Sequence, residues 1–499
     1  MWGSNATILA TILVFGSGCA AQAHRAPEEA LLPALPHTEA PEHTEAPQHE
    51  SNKLADSLKL GLHLFRSQIV EPLNRPVSYI FRLALLVGGT ANDASRELAL
   101  RTVRLPALGG LAPAPLHTGE GMDLDAWEEQ LDELVGDHRS FGKVELLIDG
   151  NEYFPALESA IAGANESIKL RTYIFDTDDV SLEIADQLKA RSTEIDVDVM
   201  FDGLGTLMAE RVVTEDQPVL ENKPVSISSY LNADSEIDVH NLTNPWFTGD
   251  HVKTTIIDGD VAFIGGMNIG REYRYDWHDV MVRAEGTIVG DMDYEFDKKW
   301  EHSKGFGDLR LLVKLLKQRL RGKEPTDGYE IRAIMTRPHS SDLYRAQLAA
   351  IRNAKRYVFI ENSYFSDTTI LHALVEARLR GVDVRVIMSL DSNHGIMNQA
   401  NVIAANVLLR AGARIYNYHG MSHVKAAVYD GWAILGSANF DRLSFRVNQE
   451  MNLASSAPEF ANQVIERIFE ADFADSDELT APLQQTWRHS VASIVASQL

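Results

Sequence analysis

From about residue 140 onwards, the hydrophobic and polar positions of the chain alternate between two periods. Apolar runs with the length of strands lie at 144–148, 167–175, 195–201, 356–360 and 382–388, and segments with the helical period lie at 153–164, 181–190 and 369–380. Strands that alternate with helices in this order are typical of parallel sheets flanked by helices. The pattern therefore predicts an α/β protein in which one succession of elements occurs twice.

The first 120 residues follow a different pattern. Residues 6–15 form an apolar run that is shorter than the roughly 20 residues needed to cross a bilayer, and small residues and Cys19 follow it. This order indicates a signal segment over 1–19. Residues 20–51 are rich in Ala, Pro, Glu and His and predict a disordered tether. Residues 52–120 predict packed helices and then a Pro/Gly-rich connector.

Cys19 is the only cysteine of the chain. Its place after the apolar run resembles a bacterial lipoprotein signal, in which this cysteine carries the lipid. The resemblance implies a protein of the bacterial cell envelope, periplasmic and anchored to the outer membrane through Cys19. Gly16 replaces the usual aliphatic residue, and no Lys or Arg precedes the apolar run. An ordinary cleaved signal, or an uncleaved apolar start with a spare thiol, is the alternative.

The two halves of the chain also share a local pattern of polar residues. Each copy has a His-x-Lys pair, an Asp seven residues after the His, an Asn after small residues, and an earlier Tyr: His251, Lys253, Asp258, Asn268 and Tyr173 in the first copy, and His423, Lys425, Asp430, Asn439 and Tyr364 in the second. Two copies in the same order indicate a duplicated domain. We place the two copies in lobes at 121–303 and 326–499, a division that the length of 499 residues allows.

Residues 304–325 separate the two lobes and predict a basic amphipathic helix. Apolar residues recur at near-helical spacing, and seven of the other residues are Lys or Arg. The whole chain has a net charge of −25. A basic amphipathic helix in so acidic a chain is a candidate membrane-surface element. The alternative is an inter-lobe helix that packs its apolar face on a lobe and leaves its basic face in water.

The residue types of each copy suit chemistry at phosphorus. Alternate residues of a strand point to one side, so the His and Lys of each pair share a face. A histidine can attack phosphorus or protonate a leaving oxygen, and a lysine can hold a phosphate oxygen. The amides of Asn268 and Asn439 can donate to phosphate oxygens, and Ser437 is one of the small residues that let the backbone approach a phosphate. We expect no metal ion and no cofactor.

The segments 251–258 and 423–430 resemble the paired signature of the phospholipase D superfamily. Within it the sequence is most similar to bacterial cardiolipin synthases, over roughly 140–475. The resemblance implies two similar phospholipase D-like lobes, each a mostly parallel β-sheet flanked by helices. It also implies that a pseudo-twofold axis relates the lobes and that they share one active site.

The resemblance further implies the roles of the site residues. His251 is expected to be the nucleophile that forms a phosphohistidine, and His423 the acid and base. The residues expected to bind phosphate are Lys253, Lys425, Asn268, Asn439 and Ser437, and those expected to orient the histidines are Asp279 and Glu450. Asp258 and Asp430 belong to the catalytic signature, and we expect them to fix the motif strand and loop. The arginine usual in the family is replaced by Leu443, for which Arg442 is a possible substitute on the opposite side of a strand.

The expected function is a phosphatidyltransferase of the cardiolipin synthase type that acts on phospholipids at a membrane surface. Phosphatidylglycerol or phosphatidylethanolamine is the expected phospholipid substrate, and the sequence does not assign which lipid donates and which accepts. A hydrolytic phospholipase D that releases phosphatidic acid is the first alternative, and a nuclease of the same fold the second. A surface with a net charge of −25 repels phosphate backbones, so no nucleic-acid partner is expected. A non-enzymatic lipid tether is a further alternative.

Overall fold

The computed structural model describes residues 58–80, 82–83, 99–100, 105–108, 111–210, 223–244, 248–318, 328–337, 340–393 and 395–485. The signal segment 1–19, Cys19 and the tether 20–51 lie outside these residues, so these predictions stay untested. Within 52–120, residues 58–80 are helical apart from Arg75. The domain boundaries stay predictions. Among the described residues, no helix is both long enough and apolar enough to span a bilayer.

Sixteen strands of the described residues form one sheet. They are β1 (Ser140–Ile148), β2 (Ser167–Thr172), β3 (Asp196–Asp202), β4 (Asp238–Leu242), β5 (Thr254–Ile257), β6 (Val261–Gly265), β7 (Val280–Gly286), β8 (Tyr329–Arg337), β9 (Ser340–Ser341), β10 (Tyr357–Asn362), β11 (Asp383–Met388), β12 (Arg414–Tyr418), β13 (Lys425–Tyr429), β14 (Trp432–Gly436), β15 (Glu450–Ser455) and β16 (Ser476–Glu478).

Helices cover the sheet. They are α1 (Glu71–Asn74), α2 (Leu105–Leu108), α3 (Leu124–Val135), α4 (Asp149–Gly163), α5 (Asp179–Ser192), α6 (Gly203–Ala209), α7 (Ile227–Asn232), α8 (Arg271–Tyr275), α9 (Thr287–Ser303), α10 (Gly307–Gln318), α11 (Asp342–Asn353), α12 (Thr368–Leu379), α13 (Gly395–Arg410), α14 (Pro458–Val464) and α15 (Ala471–Ala474), with π-helical turns at Arg66–Val70, Leu443–Val447 and Ile465–Glu470. The α/β class is confirmed, and every strand and helix predicted from the period falls on a strand or helix of the same type.

The strand order repeats on the two sides of the central β1–β8 pair. From β1 outwards the order is β1-β7-β6-β5-β2-β3-β4, and from β8 outwards it is β8-β15-β14-β13-β10-β11-β12. In both halves the strand that begins at the motif lysine or directly after it lies fourth from the centre, as β5 or β13. This succession agrees with the duplication predicted from the paired motifs.

The prediction of mostly parallel sheets is wrong. Only β2-β3-β4 and β10-β11-β12 pair in parallel, and the other main pairs of each half are antiparallel. Parallel pairs need long crossovers, which α5 and α13 supply, whereas β5–β6 and β13–β14 are hairpins. Asp430 and Gly431 form the two-residue turn of the second hairpin with φ values of 49° and 102°. Asp-Gly is a strong signal for such a turn.

The apolar side chains pack in layers on both faces of the sheet. Strands β13, β14 and β15 are buried along their whole length, and most of the residues of β13 and β14 are apolar. Helix α3 begins the predicted first lobe in sequence, but it packs on the second. Its Trp127 lies 5.0 Å from Trp432, ring centre to ring centre, in the core of the second lobe.

Helix α10 occupies most of the described part of the predicted basic helix 304–325, of which 319–325 lie outside the described residues. The alternative interpretation, in which its apolar face packs on a lobe, is wrong for the side chains that the structure describes. Leu309, Leu312 and Val313 are exposed.

Candidate active site

Backbone contacts between the lobes lie directly beside the two motif histidines. The N–H of His251 donates to the carbonyl oxygen of Gln449 at 2.9 Å, and the N–H of His423 donates to the carbonyl oxygen of His278 at 2.6 Å. Each contact belongs to a parallel bridge between one lobe's motif loop and a segment of the other lobe. The two loops are therefore tied across the interface.

Each histidine contacts a carboxylate from the opposite lobe. His251 Nδ1 lies 2.9 Å from Glu450 Oε2 and 3.1 Å from the carbonyl oxygen of Ser437, and His423 Nδ1 lies 2.7 Å from Asp279 Oδ2. A carbonyl oxygen can only accept, so Nδ1 of His251 carries the proton and Nε2 keeps its lone pair. Because the carboxylates are exchanged, the two lobes form one shared site.

Burial and charge keep the first imidazole neutral. Burial lowers the pKa of His251 well below its ordinary value, and the positive charges of Lys253 and Lys425 lower it further. A lysine from each lobe thus acts on the same ring. At neutral pH, Nε2 of His251 is available as a nucleophile.

The two motif lysines are buried next to their histidines. Lys253 Nζ donates to the carbonyl oxygen of His251 at 2.8 Å, and Lys425 Nζ donates to the carbonyl oxygen of His423. Burial lowers the pKa of Lys253 to about 7, although Glu450 offsets part of this effect. Burial lowers the pKa of Lys425 to about 8 in the same way. A phosphate between them would be held by compact cations in a dry site.

The orienting carboxyl groups titrate in the same range. Burial raises the pKa of Asp279 to about 7, against the effect of Lys425, and raises that of Glu450 to about 8, against the effect of Lys253. The Ser437 hydroxyl donates to Glu450 Oε2 at 2.6 Å. Such a cluster of perturbed groups is a mark of a functional site.

This geometry agrees with what comparison with known proteins shows. A family model described as "Cardiolipin synthase, PLD-like domain" matches residues 157–300 and 348–473. The chain belongs to this family. Cardiolipin synthase B of Salmonella typhi is 30% identical over 373 residues, which cover 72% of this chain and 87% of that protein. Cardiolipin synthase A of Pseudomonas putida (strain GB-1) is 30% identical over 361 residues, which cover 68% and 70%.

The fold comparison agrees with this placement. The crystal structure of phosphatidylserine synthase from Haemophilus influenzae Rd KW20 matches with a TM-score of 0.57 and 12% identity, and the match covers 74% of this chain and all of that one. At this identity the likeness concerns the fold alone. The expected membership of the phospholipase D superfamily is confirmed, as is the expected enzyme class, a phosphatidyltransferase.

Asn268 and Asn439, two of the expected phosphate ligands, differ in their hydrogen-bond partners. Asn268 is buried, its Nδ2 donates to the Tyr273 hydroxyl at 2.7 Å, and its Oδ1 accepts from the N–H of Ile174 at 3.0 Å. Asn439 is buried, and its Oδ1 has no hydrogen-bond partner among the described residues. Their roles as phosphate ligands stay predictions. For Ser437, the structure shows contact with Glu450 instead.

Asp258 and Asp430, the aspartates of the two signatures, do not reach the histidines. Asp258 follows β5 and accepts from the backbone N–H groups of residues 165–167, while Asp430 follows β13 and accepts from those of 355–357. Each follows its motif lysine by five residues, which is about 16 Å of extended chain at roughly 3.3 Å per residue. Their inclusion among the catalytic residues is wrong for this geometry, and the expected structural role agrees with it.

Leu443 begins a π-helical turn, so the strand geometry assumed for its neighbour Arg442 does not apply. The turn instead supplies Ser444, which bonds both Asp441 and Glu450. Ser444 was not predicted as a site residue. Its hydroxyl is a second donor that holds the carboxyl group facing His251.

Aromatic rings line the two histidines and were not predicted as site residues. Tyr173 lies 4.8 Å from the His251 ring, centre to centre. Trp277 and Tyr273 lie 5.3 and 5.6 Å from the His423 ring. Tyr173 was visible in the sequence as a repeated position, which was its only signal. The rings exclude water and strengthen the electrostatic contacts inside the site.

A buried ion network also fixes the first motif loop. Asp250, directly before His251, accepts from Arg171 at 2.7 Å and lies 2.9 Å from Lys299 Nζ. Burial raises the pKa of Asp250, but Arg171 and Lys299 outweigh it and lower that pKa to about 2. No sequence spacing marks this set, because its members lie on β2, α9 and the loop.

Among the described residues, two groups have donor atoms close enough to hold a metal ion. These groups are His278, Glu361 and Asp472, and Asp176, Asp178 and Glu272. In the first group His278 lies between carboxylates of Asp149 and Asp472, and its pKa rises to about 11 because these hydrogen bonds outweigh burial. The ion pairs account for this geometry without a metal. The expected lack of a metal stays a prediction.

Proposed function

We propose that the protein moves a phosphatidyl group from phosphatidylglycerol or phosphatidylethanolamine onto a lipid alcohol, making cardiolipin or a related lipid through a phosphohistidine. The observation that carries this proposal is the exchange of carboxylates, Glu450 to His251 and Asp279 to His423. It gives one site two imidazoles that are oriented alike through Nδ1. One can attack phosphorus while the other handles a proton.

In the first step, Nε2 of His251 attacks the phosphorus of the donor lipid. The bond between phosphorus and the head-group oxygen breaks, and His423 gives its Nε2 proton to that oxygen. Glu450 stabilises the positive charge that develops on the His251 ring, and Lys253 and Lys425 hold the phosphate oxygens. The products are a phosphohistidine and a free alcohol.

In the second step, the acceptor hydroxyl gives its proton to Nε2 of His423 and attacks the phosphorus. The bond between phosphorus and His251 breaks, so both histidines return to their starting states. Asp279 orients His423 through Nδ1 in both steps. The proton and the phosphatidyl group balance over the two steps. We also propose that Asn439 donates to a phosphate oxygen.

The location is a separate proposal. We propose that the enzyme lies in the periplasm on a lipid carried by Cys19, on the strength of the sequence around that residue alone. Metabolic labelling with a fatty acid tests this: label should enter the protein and be absent from Cys19→Ser. Labelled Cys19→Ser protein would contradict the proposed anchor.

Lipid analysis after incubation with phosphatidylglycerol alone tests the reaction. We expect cardiolipin and glycerol. Formation of phosphatidic acid without cardiolipin would contradict the transferase and indicate a hydrolase.

Trapping with a 32P-labelled donor tests the intermediate. We expect acid-labile label on the wild type and none on His251→Ala. On His423→Ala, label should form more slowly, because the first step lacks its acid, and should persist longer, because the second step lacks its base. His419→Ala, at a histidine that is about half exposed in the same lobe, is the matched control and should behave as the wild type. Label on His251→Ala but not on His423→Ala would show that His423 is the nucleophile and His251 the acid and base.

A further inference from the structure

Two helical segments beside the first lobe present apolar side chains to solvent. Of the sixteen large apolar side chains that are exposed among the described residues, eleven lie in these segments. Seven belong to residues 58–80: Leu58, Leu62, Phe65, Ile69, Leu73, Val77 and Ile80. Four lie at the start of α10: Phe306, Leu309, Leu312 and Val313. We call these eleven side chains the apolar face. Its contiguity sets it apart from single exposed apolar residues.

The first segment packs on the lobe through its polar side. The exposed residues recur every three or four positions, which places them along one side of the helix. On the other side, Ser67, Glu71 and Arg75 are buried. Arg75 donates to Glu71 at 2.6 Å and to the carbonyl oxygen of Thr243 at 2.9 Å, while the Thr243 hydroxyl donates to Glu71 at 2.7 Å. The ion pair faces inwards, so the apolar side faces outwards.

Helix α10 extends the same face. Asp308 accepts from the N–H of Val77 at 3.1 Å and from the Ser78 hydroxyl, which ties the start of α10 to the first segment. Phe306, directly before α10, has a φ of 59° and is 78% exposed. A large aromatic residue rarely adopts this left-handed conformation. The turn therefore holds the Phe306 side chain in water on a strained backbone, and no burial of that side chain against the protein offsets the strain.

Basic side chains stand at the edge of the apolar face. Lys59, Arg66, Lys304 and Arg310 are partly exposed there, and they lie 3.3–3.9 Å from the carboxylates of Glu210, Glu71 and Glu301. In sequence, α10 and the residues after it add Lys314, Lys317, Arg319, Arg321 and Lys323. The whole chain has a net charge of −25. An apolar stripe with a basic rim suits an anionic lipid surface, whereas two copies of the chain would bring like charges together.

We propose that the apolar face docks the protein on an anionic phospholipid bilayer, with both segments lying in the interface. The anchor points on the lobe shortly precede the site in sequence. Arg75 donates to the carbonyl oxygen of Thr243, and Arg82 donates to the Thr248 hydroxyl at 3.3 Å. Thr243 and Thr248 both lie within the eight residues before His251. Docking would then bring the site to the head groups of its substrate. This inference rests on the proposed function only for the choice of phospholipid as the surface.

Flotation with vesicles tests the docking. Leu62→Glu/Leu73→Glu changes two side chains that are 69% and 79% exposed, so folding should be unaffected. Removing each inserted leucine should lower partition about tenfold or more. We therefore expect at least a roughly 100-fold loss of binding to phosphatidylglycerol/phosphatidylethanolamine vesicles.

The matched control is Leu111→Glu/Leu116→Glu, which makes the same change at two exposed leucines outside the apolar face. It should bind as the wild type does. All the proteins compared carry Cys19→Ser, so that an acyl chain cannot contribute. Wild-type binding should also weaken on phosphatidylcholine vesicles and at high salt, because the basic rim then loses its attraction.

Three outcomes would overturn the docking proposal: equal binding of Leu62→Glu/Leu73→Glu and the wild type, no binding by the wild type, or a wild-type dimer in light scattering that only this variant dissociates. The last would assign the apolar face to a second copy. Activity on monomeric short-chain phosphatidylglycerol should be unchanged in the variant. A wild type that floats but yields no transfer product would refute the proposed function and leave the docking intact.

Discussion

The ion network behind His251 allows a quantitative prediction. In Asp250→Asn the side chain keeps its size, but Arg171 and Lys299 stay buried without a counter-charge. Lowering the pKa of Asp250 from 3.8 to about 2 corresponds to about 2.5 kcal/mol of stability. Removing one partner of a buried ion pair typically costs about 3–5 kcal/mol. The two estimates meet near 3 kcal/mol, and we expect this loss of unfolding free energy at neutral pH.

Thermal unfolding followed by intrinsic fluorescence measures this loss. At roughly 2–4 °C per kcal/mol for a unit of this size, the Tm of Asp250→Asn should fall by about 6–12 °C. The matched control is Asp293→Asn, which removes a partly exposed partner of Lys169 and leaves Asp297 beside that lysine at 2.7 Å. Exposed pairs contribute about 0–1 kcal/mol, so the Tm of this control should change by no more than a few degrees.

The pH dependence gives a second check. The folded pKa of Asp250 is depressed, so its contribution is present above about pH 4 and is lost as the pH falls towards 2. The difference in Tm between wild type and Asp250→Asn should therefore shrink in acid. Transfer activity should also fall in the variant at temperatures where it remains folded, because His251 is the next residue. A Tm within 2 °C of the wild type at pH 7 would refute the reasoning.

Three further predictions concern the site. Asp279→Asn and Glu450→Gln should each lower kcat for transfer by about 10- to 100-fold, since each loses a charge-assisted hydrogen bond to its histidine, and unchanged steady-state kinetics would contradict the orienting roles. The pKa of Lys253 is lowered to about 7, so its charge is lost as the pH rises, and kcat/KM for the donor lipid should decline above about pH 7 in a pH–rate profile. Burial raises the pKa of Glu361 well above its usual range, so its contribution to stability is present at low pH and is lost as the pH rises. The Glu361→Gln variant cannot ionise at this position. It should therefore not show this loss when thermal unfolding is followed from pH 5 to 9.

The sequence, through its family resemblance, predicts the two histidines and the two carboxylates that orient them, but neither their pairing across the lobes nor what surrounds them. The paired His-x-Lys motifs, with Asp279 and Glu450, indicate the residues that the structure brings together. Burial, however, depends on how the lobes pack, so the shifted pKa values near neutrality have no signal in the motif. The contacts of Asp250 with β2 and α9 likewise depend on the tertiary fold.

The sheet shows where the periodicity argument failed. Runs of apolar residues fit a buried strand of either orientation, and the strand–helix alternation was extended to every pair. The Asp-Gly pairs at 258–259 and 430–431 are a signal for hairpins, which the expected role of the two aspartates in fixing the motif strand and loop does not include. Their positive φ values show that the signature aspartates also shape the turns between β5 and β6 and between β13 and β14.

The exchange of carboxylates makes the two lobes depend on each other. His251 and Glu450 are 199 residues apart, and Asp279 and His423 are 144 apart, so neither contact exists until the lobes have docked. Each lobe holds one histidine and the carboxylate that orients the other. A change that loosens the interface therefore removes the orientation of both imidazoles at once. In an enzyme whose lobes exchange carboxylates in this way, activity depends on the docking of the lobes as directly as it depends on either histidine.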